Sequence, residues 1–442
     1  MSNNVTKGSM AQGWSWIPTL YFTEGLPYIL VMTVSVIMFK NLGMSNTDTA
    51  LYTSWLYLPW VIKPFWSPFV DLLGTKRVWI VAMQLLIGAG LAGVAFSVST
   101  DYWVAGSLSF LWLMAFASAT HDISADGFYM LGLNNEQQSF FVGIRNTFYR
   151  IAIVFAQGVL VMAAGFMSNH FGDVAYAWSL TFYIAAALLI ALALYHYFVL
   201  PNPSEDVKRS FSLKQLGELF KTFFTQKGIL LSLAFILLYR LGESQLAKIA
   251  SPFMLDPMDK GGLGLTTMQV GFAYGTVGVV FLLLGGVLGG LVVAKHGLKR
   301  WLWPMVMMMN VPNLVYVYFA YVQPESYPIV ITDILLEQSF FSATLCLLKS
   351  FNPIVIAGIS FEQFGYGFGF TGFMLYLIKI SQGEFKTAHY AICTGFMALG
   401  MMIPGMWAGA VEEALGYQQF FIWVCLCTIP GFILTYFISK RI

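Results

Sequence analysis

PNPSEDVKRSFSLKQLGELFKTFFTQK, residues 201–227, is a polar stretch set between long apolar ones. Pro201, Pro203, Glu205, Asp206, Lys208, Arg209, Lys214 and Lys221 suit water, not hydrocarbon. A helix crosses a bilayer in about 20 residues. Before the stretch, apolar runs of that length lie at roughly 16–40, 47–70, 78–99, 102–131, 138–166 and 174–200. After it they lie at roughly 228–252, 266–294, 300–322, 353–379, 387–411 and 418–439. Six runs, a charged linker and six more predict an all-α integral membrane protein with twelve transmembrane helices in two six-helix bundles. The expected units are 1–200, a cytoplasmic linker 201–227, and 228–442.

Composition agrees. Of the 442 residues 58% are hydrophobic and 10% charged, where a soluble domain carries about 25% charged residues. Net charge is +2, with neither an acidic tail nor a basic arm, so nucleic acid is excluded as a partner. Cys346, Cys393, Cys425 and Cys427 show no zinc spacing and read as small apolar fillers, and no metal or cofactor is expected. The first fifteen residues hold no cleavage pattern, so the first apolar run is expected to remain a span.

Charge placement sets an expected orientation in the cell inner membrane. Of the 23 lysines and arginines, Lys63, Arg150 and Arg240 fall within spans. With both termini cytoplasmic, only Lys40, Lys248, Lys260 and Lys349 of the remainder fall outside, as the positive-inside rule requires. The halves also echo each other. Asp71-Leu-Leu-Gly74-Thr-Lys76-Arg77 follows the second run, and Ala294-Lys295-His-Gly297-Leu-Lys299-Arg300 follows the eighth. Repeated halves around a midplane site are a transporter design. Residues 328–350 are apolar but carry Asp333, Glu337 and Lys349. They are expected as an extra outer-face segment, because an odd span would reverse every later loop.

Ionisable groups at membrane depth must face the bundle interior. Asp122 and Asp126 are four apart and share a helix face with Ser118. Counting out from the turn Asn134-Asn135-Glu136 sets Arg145 level with Asp126 and Arg150 level with Asp122. The plain reading is two ion pairs pinning adjacent helices. The sharper one is a binding site for an acidic substrate, with Asp122, Arg150 and neighbouring His121 as contacts, or a proton relay; Asp126 and Arg145, near the inner end, are expected to be structural. Arg240 and Glu243 stand three apart and can pair on one helix, yet a planar five-donor guanidinium also suits a carboxylate substrate. Glu24, in Phe22-Thr23-Glu24-Gly25-Leu26-Pro27, and Glu362, in Glu362-Gln363-Phe-Gly365-Tyr-Gly367, have no basic neighbour in sequence. They are the leading proton carriers, with Glu243 third. Gln363, Tyr28, Trp60 and Tyr366 complete the candidate substrate contacts, the aromatic rings by stacking on sugar faces.

Three motifs carry a resemblance. The second span reads Leu58-Pro59-Trp60-Val-Ile-Lys63-Pro64-Phe-Trp66-Ser-Pro68-Phe-Val-Asp71. The fourth contains Ser118-Ala-Thr120-His121-Asp122-Ile-Ser-Ala-Asp126-Gly127, and the seventh Leu238-Tyr239-Arg240-Leu-Gly242-Glu243. Together they resemble the AmpG muropeptide permease family of the major facilitator superfamily, whose wider relative is the acetyl-CoA transporter family. The resemblance implies proton-coupled import of anhydro-muropeptides by alternating access, through a monomer in the bilayer. It also implies an inner-side gate built on Asp71, Gly74, Lys76 and Arg77, echoed by Gly297, Lys299 and Arg300, with Lys63 as a further gate or structural residue. His121 stands where glutamine is usual, and Arg240 and Glu243 where lysine and aspartate are common. The alternative substrates are acetyl-CoA or another organic anion. Against a membrane enzyme or receptor stand the absence of HExxH, of a nucleotide loop and of a sensor domain.

Overall fold

Inside hydrocarbon a backbone N–H or C=O has no water to bond, so each crossing segment must satisfy its own ladder as a helix. The computed structural model describes residues 10–203, 206, 213–325, 327–328, 350–382 and 386–441, with the backbone alone at 68, 69, 71, 135, 213–216, 327–328, 350–351 and 387. Among these residues the chain forms twelve helical rods, called spans 1–12. They are Met10–Asn41, 46–73, Lys76–Val98, Trp103–Gly132, Glu136–Phe171 and Val174–Val199, then Ile229–Leu255, Thr267–His296, Leu298–Val322, Pro353–Ile380, Lys386–Leu415 and Tyr417–Ser439. Ten are long and apolar enough to cross a membrane. Spans 2 and 10 have the length, but prolines and Lys63 dilute the first, and Glu362, Gln363 and a run of glycines dilute the second. A linker helix, Leu213–Phe224, lies between spans 6 and 7.

Short polar turns make successive rods antiparallel. Asn134 and Thr266 form capping boxes with Gln137 and Gln269, and Ser45, Thr75 and Asp173 accept from the first turns of spans 2, 3 and 6. Each satisfies an amide that would otherwise be stranded at a helix start. Twelve crossings return the chain to the side on which it began. We call this the termini face and its opposite the far face. Large apolar side chains cover the outside, among them Phe96, Leu230 and Phe198 at 68%, 80% and 79% exposure, as a lipid-facing surface requires. Most of the extra segment expected at 328–350 lies outside the described residues. Its flanks, Tyr327–Pro328 and Ser350–Phe351, pair antiparallel, and Asn352 Nδ2 donates to Pro324 O at 2.6 Å.

Several rods are broken or loosened. Span 2 stops at Trp55 and restarts at Leu58, where Pro59 has no N–H to lose. Span 7 breaks between Leu238 and Leu241, with Arg240 at φ −107°, ψ 22°. Wider π-helical turns occupy Leu30–Val34, Val154–Leu160 and Gly271–Gly278 in spans 1, 5 and 8.

The two halves meet along two seams. Spans 2 and 11 touch where Gly409 lies against the Asn46 carbonyl and where a Cβ on Gly395 would come 2.8 Å from Val61 O. Spans 5 and 8 touch where Gly275 lies against the Gln157 carbonyl and where a Cβ on Gly165 would come 2.7 Å from Met268 N. Lipid is as apolar as leucine, so such seams depend on close backbone packing rather than on hydrophobic burial. Gly275→Leu should therefore overpack the second seam, at a cost of about 1–3 kcal/mol. It should lower the melting temperature of the purified protein; a melting curve identical to the native one would contradict this packing.

Candidate functional site

The N-terminal half gathers three acids and two bases near its junction with the other half. Asp126 on span 4 accepts from Arg145 Nη2 on span 5 at 2.9 Å, as the counting from the turn predicts. The Arg145 guanidinium lies 4.5 Å from the Tyr21 ring centre and 5.0 Å from that of Tyr129. Asp126 is 47% exposed, so this pair is worth about 1 kcal/mol or less. Asp122 does not meet Arg150. Its Oδ2 accepts from Trp60 Nε1 at 3.1 Å and lies 3.5 Å from Lys63 Nζ, both on span 2. Asp122 thus ties span 4 to span 2, not to span 5. Glu24 on span 1 is buried within electrostatic reach of Asp122, Asp126, Lys63 and Arg145, and its Oε2 has no hydrogen-bond partner among the described residues.

The C-terminal half contributes a second cluster. Arg240 and Glu243 were expected to be able to pair along one helix. The break in span 7 instead turns Arg240 across to span 10, where Nη2 donates to Tyr366 OH at 2.7 Å. Its guanidinium lies 4.9 Å from the Phe370 ring centre, while Nε has no partner among the described residues. Glu243 occupies the first turn of the second helical segment, where the helix dipole favours a negative charge. Its Oε2 also has no hydrogen-bond partner among the described residues. Glu362 on span 10 is buried; its Oε2 accepts from Gln363 Nε2 at 2.8 Å, and Glu243 lies within its electrostatic reach. Aromatic groups stand between the clusters. Tyr28 and Trp60 pack edge to face at 5.2 Å, and Tyr28 and Tyr57 both lie within reach of Arg240.

Other sequence candidates lie elsewhere. His121 is enclosed in the N-terminal half, in a chain running from His121 Nε2 to Gln84 (2.9 Å), to His196 (2.9 Å), to Thr19 (2.9 Å). Arg150 reaches toward span 8, where a Cβ on Gly286 would come 3.6 Å from its Nη1. At the turn after span 2, Arg77 Nη2 donates to Tyr197 O at 2.6 Å, and the Lys76 and Arg77 amides donate to Asp206. These bonds bind spans 3 and 6 to the linker. Gly74 is extended, at φ −161°. Gly297 takes φ 81°, and Lys299 and Arg300 are exposed.

Two features escaped the sequence reading. Lys248, counted there among outer-side bases, is 2% exposed within span 7. Its Nζ donates to Thr53 Oγ1 on span 2 at 3.0 Å and lies 5.2 Å from the Tyr57 ring centre. Above it, on the far face, a polar latch joins the halves. Lys40 Nζ bonds Asp256 at 2.7 Å and Asn46 Oδ1 at 2.8 Å. Asn46 Nδ2 donates to Glu412 at 2.6 Å and to Tyr417 OH at 2.9 Å, and Tyr417 OH donates to Asp256 at 2.5 Å. Thr47 bonds Glu413 through both its amide and its hydroxyl. These bonds hold the two halves together on the far face.

The Lys63–Asp122 pair generates a test. Asp122→Asn strands Lys63 in a partly desolvated site, so folded yield should fall about tenfold, the equivalent of roughly 1.4 kcal/mol. Lys63→Met with Asp122→Asn removes both charges and should recover most of that yield, read by fluorescence size-exclusion chromatography. A double variant no better than the single one would refute the pair.

Known proteins agree with this architecture. The chain is 24% identical to the anhydromuropeptide permease of Escherichia coli, over 94% of this chain and 77% of the permease. It is 23% identical to a Rickettsia conorii protein named "Putative transporter AmpG 4", over 95% of each. In fold it matches the crystal structure of a D-xylose-proton symporter with a TM-score of 0.69 at 11% identity, covering 96% of this chain and 97% of the symporter. Residues 19–337 match the model of the Major Facilitator Superfamily, and this multi-pass membrane transporter belongs to that superfamily.

Proposed function

We propose that the protein imports anhydro-muropeptides, the sugar-peptide fragments of cell-wall turnover, together with protons, by alternating access. The observation that carries this reading is Arg240, buried between the halves with an unbonded Nε and ringed by Tyr28, Tyr57, Tyr366 and Phe370. A muropeptide offers a peptide carboxylate for the guanidinium and sugar faces for the rings. Its likeness to the permease from Escherichia coli supports the same substrate class. The Lys/Arg distribution supports a cytoplasmic termini face in an inner-membrane protein. Joined on the far face, the monomer then stands shut toward the outside.

Charge balance singles out the coupling groups. Glu24, Asp122 and Asp126 oppose only Lys63 and Arg145, so one proton on Glu24 leaves that cluster neutral. Glu362 opposes Glu243 with only a neutral Gln363 bonded to it. A carrier must gain and lose its proton as access switches, which favours acids without a fixed basic partner. The turn residues Asp71, Gly74, Lys76 and Arg77 form the inner-side gate in this reading. Because Arg240 keeps an Nε with no hydrogen-bond partner among the described residues, transport of acetyl-CoA or another organic anion is the second reading.

Uptake of labelled anhydro-muropeptide into proteoliposomes, with and without an inward proton gradient, tests the proposal. Accumulation should require the gradient and should not be displaced by acetyl-CoA; displacement by acetyl-CoA and no muropeptide uptake would favour the second reading. Glu24→Gln and Glu362→Gln should each abolish accumulation while preserving downhill exchange. If both still accumulate substrate, neither acid carries the coupled proton. Arg240→Gln should raise the apparent KM at least about tenfold, the loss of one charge-assisted carboxylate contact. An unchanged KM would remove Arg240 from the site.

A further inference from the structure

Arg150 is a cation at membrane depth with no acid partner among the described residues. It stands eight residues, about 12 Å, to the termini side of Gly158, where spans 5 and 8 touch. From that contact the two helices part toward the termini face. The gap is a groove of about 450 Å³ lined by Thr147, Arg150, Ile151, Val154, Phe155, Val159, Leu283 and Val287. Ligand pockets span about 300–1,000 Å³. Ile151 and Val287 are 44% and 58% exposed, so the groove opens sideways, to the bilayer.

The groove has a direction. Thr147 and Arg150 lie at the end nearer the termini face. Val154, Phe155 and Val159 continue toward the bilayer centre, and Leu283 follows Val287 the same way on the antiparallel span 8. This is the polarity of a phospholipid in the leaflet on the termini side, head outward and chain inward. A soluble anion would leave the apolar walls unmatched. A zwitterionic lipid would bring its own headgroup cation along with its phosphate, leaving the site with a net positive charge that an anionic lipid neutralises.

We propose that the groove between spans 5 and 8 binds one anionic phospholipid, its phosphate on Arg150 and an acyl chain along Val154, Phe155 and Leu283. The lipid then wedges the seam on the side where it is parted. The site is separate from the Arg240 cluster, so it stands whatever substrate is carried.

Native mass spectrometry of the whole protein tests this, with phosphatidylglycerol and phosphatidylcholine of equal chain length supplied in equal amounts. The native protein should retain phosphatidylglycerol over phosphatidylcholine by about fivefold, what one basic side chain near an anionic headgroup provides. Arg150→Gln should erase that preference and Arg150→Lys should keep most of it. Val154→Trp, which fills the groove, should reduce retention of both lipids. Lys221→Gln, which removes an exposed cation of the linker helix, should change nothing. A preference that survives Arg150→Gln, or retention unaltered by Val154→Trp, would overturn the proposal, as would a native protein that shows no preference. Melting curves of each variant confirm that it is folded.

Discussion

An ionised group held in hydrocarbon costs about 2.5–3.5 kcal/mol on insertion scales, and this chain holds acids and bases through the depth of its bundle. For most of them the cost is met by facing inward and toward one another across neighbouring spans, Arg150 at its lipid-facing groove being the exception. Lys63 meets Asp122, Arg145 meets Asp126, and Arg240 lies on aromatic faces with Tyr366 as its acceptor. Packing follows from this. Glycines bring the backbones of spans 2 and 11, and of 5 and 8, close enough for the charged interior to be sealed from lipid. Broken helices then place single charges where a continuous helix would hide them, as at Arg240.

The twelve rods and the ionisable groups within them were legible in the amino-acid sequence, because long apolar runs and intramembrane charges are unambiguous there. The rotational setting of each side chain was less so. Depth alone matched Arg145 with Asp126 and Arg150 with Asp122. Yet Arg145 and Arg150 are five residues apart, about 140° around a helix, so both cannot face span 4. Arg145 does. Arg150 turns to span 8, and Lys63 supplies the partner of Asp122. Arg240 and Glu243 stay within electrostatic reach of each other, but the direct contact expected along one helix assumed an unbroken helix. Nothing in the local sequence marks the break at Tyr239 and Arg240, where neither proline nor glycine is present. Lys248 was read as a loop base because it lies near the end of its apolar run. Its burial depends on Thr53 and Tyr57, nearly 200 positions away in the chain.

The far-face latch gives the structure its sense of state. Lys40 and Asn46 belong to the N-terminal half, and Asp256, Glu412 and Tyr417 to the other. While they are bonded, Lys248 stays sealed beneath them without a counter-charge. Separating the halves on this face would hydrate Lys248 but leave Lys40 and Asp256 unpaired. Under the proposed alternating access, opposing terms of this kind would bring two states close in energy, so that a ligand or a proton with unequal affinity for them would shift the balance.

The central claim is that this latch opens and closes as a unit. Spin labels at Asn169 and Asp259, both exposed on the far face, report the separation of the halves there by double electron–electron resonance. The protein would be reconstituted in lipid with its native cysteines replaced. The account predicts one short distance in the resting protein and a second, longer one that grows when Asp256→Asn breaks the bond to Lys40. A single unchanged distance in both proteins would contradict it.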